Sequence, residues 1–312
     1  MNKFFSGIVL CLGLLSVGKT HAQMLYPVPD VENEQLKGSV KTLTVYHVNA
    51  SPLYTEDEIN AYRRKGQKVP STRNDLFVKT DYNSAGFITS RVYYSSNEEN
   101  DKTVKTYDAS GRLTRETVYR DGALATVYTF DYDASGRPAK ARKVDDKGMV
   151  IFTEDNTFTF DGDETTQENV HTSARGQKSV SRIVFGPNHR MKSMYVETNG
   201  APSQMIIFDS ECKPTEITSY RPAKQTVKFT HGRNSMIRDV FDGSGVATGR
   251  SVDELDAHGN VLKTTATGPD NAVPKTKSYT YQYDSHGNWV SKIPAEPTWR
   301  DPVIVREIVY YP

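Results

Sequence analysis

Tyr283-Asp284-Ser285-His286-Gly287-Asn288-Trp289 is the clearest short unit of the sequence, and it recurs at 107–113 and 132–138. Each copy has an aromatic residue, Asp, two small or polar residues, Gly, and then Arg or Asn. An Asp side chain accepts hydrogen bonds from backbone amides that follow it, and Gly tolerates positive φ. The unit therefore predicts a β-hairpin turn. Its turn residues, interpreted as structural rather than as metal ligands, are Asp108, Gly111, Asp133, Gly136, Asp284 and Gly287.

Weaker copies of the unit fill most of the remaining chain. They begin at Tyr82, Phe160, Phe185, Phe208, Phe241 and Leu255, and most successive copies lie 23 to 28 residues apart. A second kind of turn, such as Arg120-Asp121-Gly122, falls about halfway between copies. Each repeat is therefore predicted to be two antiparallel strands of roughly seven or eight residues. A regular period of this length is typical of a repeat architecture.

The predicted fold is all-β: a long antiparallel meander of hairpin repeats forming an elongated, twisted or curled sheet, with one short N-terminal helix. The expected organisation is a signal peptide over 1–22, an N-terminal strand and helical cap insertion over 23–75, hairpin repeats over 76–293, and a proline-rich loop and closing strand over 294–312. A hydrophobic content of 36% suits a thin sheet better than a thick two-layer core. The pattern does not decide whether the sheet is open, barrel-like or two-layered.

The first 22 residues have the features of a secretory signal. Lys3 precedes a mostly apolar stretch to Val17, and Thr20-His21-Ala22 ends in small residues. We expect an exported protein, periplasmic, on the outer-membrane surface or secreted, with no transmembrane segment in the mature chain. The whole chain has a net charge of +1, and removing Lys3 and Lys19 leaves −1. This balance gives no electrostatic reason to expect nucleic acid as a partner.

Two segments break the repeat and are candidates for binding. Thr55-Glu56-Asp57-Glu58 is a capping box, which predicts a short helix from about 56 to 65. We interpret this insertion as a cover for the exposed end of the sheet, with a binding loop as the alternative. Trp299 lies in the proline-rich loop between polar residues, so it is either an exposed sugar-stacking residue or a lid packed on the last hairpin.

Aromatic and aliphatic residues recur two positions apart before the turns. Examples are Phe158 with Phe160, Ile183 with Phe185, and Ile206 with Phe208, while Tyr279, Tyr281 and Tyr283 share one face of another strand. Stacked in register, these residues would form one continuous stripe. We expect the stripe to be the hydrophobic core, and a platform for sugars is the alternative.

No familiar catalytic or metal-binding motif is present. The sequence lacks His-Glu-x-x-His, Gly-x-Ser-x-Gly, a phosphate-binding loop and Cys-x-x-Cys. His258 and His286 occupy the same turn position in two copies, but no third ligand repeats with them, so no metal or cofactor is predicted. Cys212 is the only cysteine after the signal, and we interpret it as a structural or incidental thiol. A glycosidase pair among the many carboxylates stays open.

The repeated Tyr-Asp-x-x-Gly-Arg unit resembles the YD repeat of the Rhs family. With the final Tyr283–Trp289 copy and Arg306–Tyr311 behind it, the chain is similar to small secreted YD-repeat proteins of Bacteroidetes type over roughly residues 76–311. The resemblance implies a long antiparallel sheet, an envelope or secreted setting, and carbohydrate or cell-surface binding. It implies no catalytic residue, and we do not expect the toxin-shell function of the large family members to carry over to this chain.

The sequence thus predicts an exported, non-enzymatic binding or scaffold protein of the envelope, whose partner is a glycan or a cell-surface protein. Two alternatives remain: a hydrolase that acts on polysaccharide with a carboxylate pair, and a purely structural spacer.

Overall fold

A computed structural model describes residues 30–48, 74–95, 98–269, 273–297 and 301–312, and these form one antiparallel β-structure. A helical turn, Asp30–Asn33, precedes the strands, and a 3₁₀ turn, Pro187–His189, interrupts them. The twenty strands are β1 (Val40–Val48), β2 (Asn74–Tyr82), β3 (Ile88–Ser95), β4 (Glu98–Tyr107), β5 (Leu113–Arg120), β6 (Ala123–Tyr132), β7 (Pro138–Asp145), β8 (Val150–Asp161), β9 (Glu164–Ser173), β10 (Lys178–Phe185), β11 (Met191–Thr198), β12 (Ala201–Phe208), β13 (Pro214–Ser219), β14 (Gln225–His231), β15 (Ser235–Asp242), β16 (Ala247–Leu255), β17 (Val261–Thr267), β18 (Lys275–Tyr283), β19 (Trp289–Pro294) and β20 (Val303–Tyr310).

The sheet is a closed barrel. Each strand pairs with the next along the chain, and β20 pairs back onto β1, so that Val45 lies between Val78 of β2 and Arg306 of β20. The expectation of an elongated, twisted or curled sheet is therefore wrong. An open meander would leave a row of unpaired amides and carbonyls on β1 and β20, and closure pairs both edges. The helix expected at 56–65 lies outside the described residues.

One face of the strands points into the barrel. Ile183, Met194, Ile206 and Ile217 form one row across β10 to β13, and the three isoleucines are almost fully buried. The N-terminal segment that precedes β1 packs on this same face, against Tyr82 of β2. On the outward face of β8, Ile151 is followed by the polar residues Thr153, Asp155, Thr157 and Thr159.

The inward face is not uniformly apolar. Gln167 and Asp253 are as deeply buried as the isoleucines, and Gln167 donates to Asn169 across 2.8 Å. Barrel diameter grows with strand number, and sixteen or more strands enclose more space than side chains fill. Gln167 and Asp253 are nevertheless excluded from solvent, so they depend on partners inside the barrel: Asp253 accepts from Arg238 over 2.8 Å and from Thr264 over 2.7 Å.

No helix among the described residues is long and apolar enough to cross a membrane.

Candidate binding site

The turns of the repeat unit have one shared geometry. In the 132–138 copy, Asp133 Oδ1 accepts hydrogen bonds from the amides of Ser135 and Arg137, each 2.9 Å long, and Gly136 has a φ of 78°. The amide hydrogen bond from Arg137, reinforced by its guanidinium, holds the pKa of the Asp133 carboxyl below its usual value. Copies with the same bonds include Asp108 with Gly111 and Asp284 with Gly287.

Several of these turns also contact an aromatic residue of the strand that follows in the sheet. The Arg112 guanidinium lies 4.8 Å from the centre of the Tyr132 ring, and the Tyr132 hydroxyl donates to the Leu113 carbonyl over 2.8 Å. His258 stacks on Tyr283 in the same way, with ring centres 4.3 Å apart. His286 likewise stacks on Tyr310 at 4.0 Å. These two histidines therefore act as covers for tyrosine rings, and the repeated aromatic and turn residues lock neighbouring hairpins together.

Residues 30–38 form a strap along the inner face of the barrel. At one end the Asp30 carboxylate accepts a 2.7 Å hydrogen bond from the Ile88 amide, and Glu34 binds both Arg91 and the Tyr82 hydroxyl. At the other end the strap reaches the last repeat turn, where Asn288 bonds both the amide and the carbonyl of Lys37. The strap thus joins β2–β4 to the β18–β19 turn.

Beside the strap, β18 to β20 present a row of aromatic side chains to the interior. Tyr279, Tyr281 and Tyr283 alternate along β18, and Tyr281 is directly opposite Lys292 of β19. The Trp289 ring centre lies 6.0 Å from that of Tyr281 in an edge-on arrangement. All of these side chains are half-buried.

Two cations lie directly on these rings. The Arg306 guanidinium carbon is 3.3 Å from the centre of the Trp289 ring, and Lys292 Nζ is 4.1 Å from that of Tyr279. Burial lowers the pKa of Arg306 to about 10. Burial, with repulsion from Lys277, also lowers the pKa of Lys292. We call Tyr279, Tyr281, Trp289, Lys292 and Arg306 the cationic wall.

A different inward cluster contains a buried acid. Glu154 of β8 is nine-tenths buried, and desolvation raises the pKa of its carboxyl. Tyr128 of β6 lies close enough that the charges of Glu154 and Glu116 help burial to raise the pKa of its hydroxyl. Of the inward carboxylates, Glu154 most resembles a general acid. The negative charge of Asp155, its neighbour along the strand, also raises the pKa of Glu154.

The other residues singled out by sequence are dispersed. Trp299 lies outside the described residues. Cys212 is exposed, with a φ of 60°, in the turn position that Gly occupies in the clearest copies. The aromatic stripe is divided, because Ile183, Phe185 and Ile206 are buried core whereas Phe160 is exposed.

Sequence reasoning found the tyrosines of the cationic wall and missed its cations. Alternation along β18 was enough to place three tyrosines on one face. Lys292 and Arg306 join them only through the pairing of Tyr281 with Lys292 and of Lys292 with Ile304, two residues before Arg306. The only signal in the sequence was weak: both are basic residues of the closing strands, Lys292 three residues after Trp289 and Arg306 after the apolar run 303–305.

No family model and no curated protein matches this sequence. Similar solved structures include a porin-like protein from Bacteroides uniformis, with 9% identity, coverage of 88% of this chain and 99% of that one, and a TM-score of 0.34. A porin-like protein from Bacteroides vulgatus has 9% identity, coverage of 88% and 98%, and a TM-score of 0.28. TcdB2-TccC3 has 10% identity over 77% of this chain and 17% of its own, with a TM-score of 0.27. Likenesses this weak establish neither family nor function, and the YD-repeat resemblance stays a prediction.

Proposed function

We propose that this chain is an exported, non-enzymatic carbohydrate-binding protein that holds its ligand inside the barrel against the cationic wall. The observation that carries the proposal is the half-buried pair of Tyr281 and Trp289, whose rings are edge-on inside the barrel. Polar side chains, among them Gln167 and Asp253, are common among the buried residues of the same inward face. Saccharides present both apolar C–H faces and hydroxyls, so they suit aromatic side chains flanked by hydrogen-bond donors.

The test is binding of the chain from residue 23 onward to a panel of bacterial and host-type oligosaccharides. Tyr281→Ala and Trp289→Ala are expected to weaken binding roughly tenfold or more, because each removes a large contact surface from the site. Phe241→Ala is the matched control, since Phe241 is an aromatic beside Lys228 (5.6 Å) that points outward. Binding that survives both wall variants, or is lost equally in Phe241→Ala, contradicts the placement of the site.

The same panel addresses the other candidates. A polysaccharide hydrolase is the second candidate function, because Glu154 is a buried carboxyl with a raised pKa, which is a feature of general acids. Release of shorter products by the native chain, abolished by Glu154→Gln, would replace the binding proposal with that hydrolase. Absence of any saccharide binding would leave a cell-surface protein partner or a structural spacer.

A further inference from the structure

The cationic wall differs from two other inward arginines, Arg91 and Arg238, in its lack of acidic partners. Arg91 binds Glu34 of the strap, and Arg238 binds Asp253 over 2.8 Å. No ion pair among the described residues includes Lys292 or Arg306, and the Nε of Arg306 is buried without a hydrogen-bond partner there.

The nearby acids are already engaged. Asp301 accepts from Lys277 and from the Tyr279 hydroxyl, at 2.8 and 3.0 Å. Glu34 has the largest electrostatic effect of any acid on the pKa of Arg306, but its carboxylate already binds Arg91 and the Tyr82 hydroxyl. Two partly desolvated cations are therefore fixed on neighbouring strands with their charge uncompensated at contact distance, which is costly unless a ligand supplies the missing charge.

The aromatic rings determine how the cations are presented. A guanidinium stacked on an indole directs its N–H groups outward in its own plane, so the two terminal nitrogens of Arg306 can donate parallel hydrogen bonds to a carboxylate. Lys292 lies over the Tyr279 ring and adds a second positive charge. Lys292 pairs with Ile304, which is two residues before Arg306 on β20, so the two cations lie on the same face of neighbouring strands. The arrangement is preorganised, because cation–π contact restrains both side chains before any ligand arrives.

We infer that the ligand of the cationic wall is an acidic saccharide, whose carboxylate or other anionic group is bound by Arg306 and Lys292 while its ring lies along Tyr281 and Trp289. The inference rests on the proposed function and specifies the substrate class. The ligand chemistry it names is an anionic group attached to a sugar, so both the charge and the ring contribute to affinity.

The experiment measures calorimetric binding of the chain from residue 23 onward to matched pairs of oligosaccharides. Each pair contains an acidic member (a uronate, sialylated or sulfated oligosaccharide) and its neutral counterpart, such as oligogalacturonate and its methyl ester. For at least one pair, the acidic member is expected to bind roughly tenfold or more tightly at low ionic strength, and salt should reduce the difference. Arg306→Gln and Lys292→Gln should each weaken acidic binding roughly 10- to 100-fold and change neutral binding by less than about threefold.

Lys143→Gln is the matched control, because Lys143 also points inward over an aromatic ring, Phe152 at 5.9 Å. Arg306→Lys keeps the charge and loses the planar pair of donors, so it should fall between native and Arg306→Gln, and it guards against misfolding of the neutral variant. Equal loss in Lys143→Gln would show that only general charge matters and would overturn the inference.

The outcomes separate this inference from the proposed function. Equal affinity for acidic and neutral members, or binding of neutral members alone, overturns the inference and leaves the carbohydrate-binding proposal standing. No saccharide binding at all overturns both. Free acetate, sulfate and phosphate form the last arm: competition by these ions at oligosaccharide concentrations would mean that the wall binds small anions, and the saccharide part of the inference would fail.

Discussion

Replacing Cys212 by Gly should stabilise the protein. Cys212 closes the turn that begins at Asp209, with its amide 3.1 Å from the Asp209 carbonyl and a φ of 60°. A residue with a side chain pays about 1–2 kcal/mol for this left-handed conformation, and Gly does not. Gly is also more flexible than Cys in the unfolded chain, and this entropy offsets about 0.5–1 kcal/mol of the gain in stability. The net expectation is an increase of about 0.5–1 kcal/mol in the free energy of unfolding.

The reverse change at an equivalent turn supplies the opposite sign. Gly245 has a φ of 85°, and an added Cβ would have no heavy atom within 4 Å, so Gly245→Ala tests backbone strain alone. It should cost about 0.5–1 kcal/mol by the same arithmetic. Gly111→Ala should cost more, because the new methyl would lie 3.0 Å from Cε2 of Phe87.

Equilibrium urea unfolding measures these differences, with midpoints compared at a shared m value. Cys212→Ala is the control: it removes the exposed thiol and keeps the strain, so its midpoint should stay near that of the native chain. If Cys212→Gly is neutral or destabilising while Gly245→Ala destabilises, backbone strain at residue 212 does not lower the stability of the protein. If Cys212→Ala stabilises as much as Gly, the thiol itself is responsible.

Three further expectations concern polar groups. Glu154→Gln should raise stability at pH 7 and leave it unchanged near pH 4, because a raised carboxyl pKa means stability is lost as pH rises through it. Asp133→Asn should lower stability above pH about 4, with the difference vanishing as pH falls below 3.8 and through the depressed pKa. Asn288→Ala should cost about 1–3 kcal/mol, since buried Asn288 bonds Lys37 and Tyr310; thermal unfolding at several pH values measures all three.

Local chemistry was readable from the sequence because each hairpin turn is specified within seven residues. An Asp that accepts two amides and a Gly with positive φ give the clearest copies the same sequence pattern, as Asp133 and Gly136 show. The strand alternation that follows from these turns also placed Tyr279, Tyr281 and Tyr283 on one face.

The closure of the barrel by β1 and β20 has no comparable pattern in the sequence. The pairing of Val45 with Arg306 depends on the accumulated twist and curvature of all the strands between them, and no residue pattern in β1 or β20 marks either as half of a seam. The cationic wall was missed for the same reason, since Arg306 is brought onto Trp289 by pairing between strands rather than by spacing along the chain. Strand pairing between distant segments is therefore the information that the repeat pattern lacks.

The seam between β1 and β20 has a consequence for how the chain reaches its native state. Every other pairing of the described strands joins neighbours in the chain, so hairpins can form one after another from contacts of short sequence separation. The seam forms only when position 45 meets position 306, and until then two free strand edges are exposed. Those edges are able to pair with a second copy as readily as with each other, so the nearly finished barrel is the species most prone to aggregation, and dilution during refolding should favour the monomer.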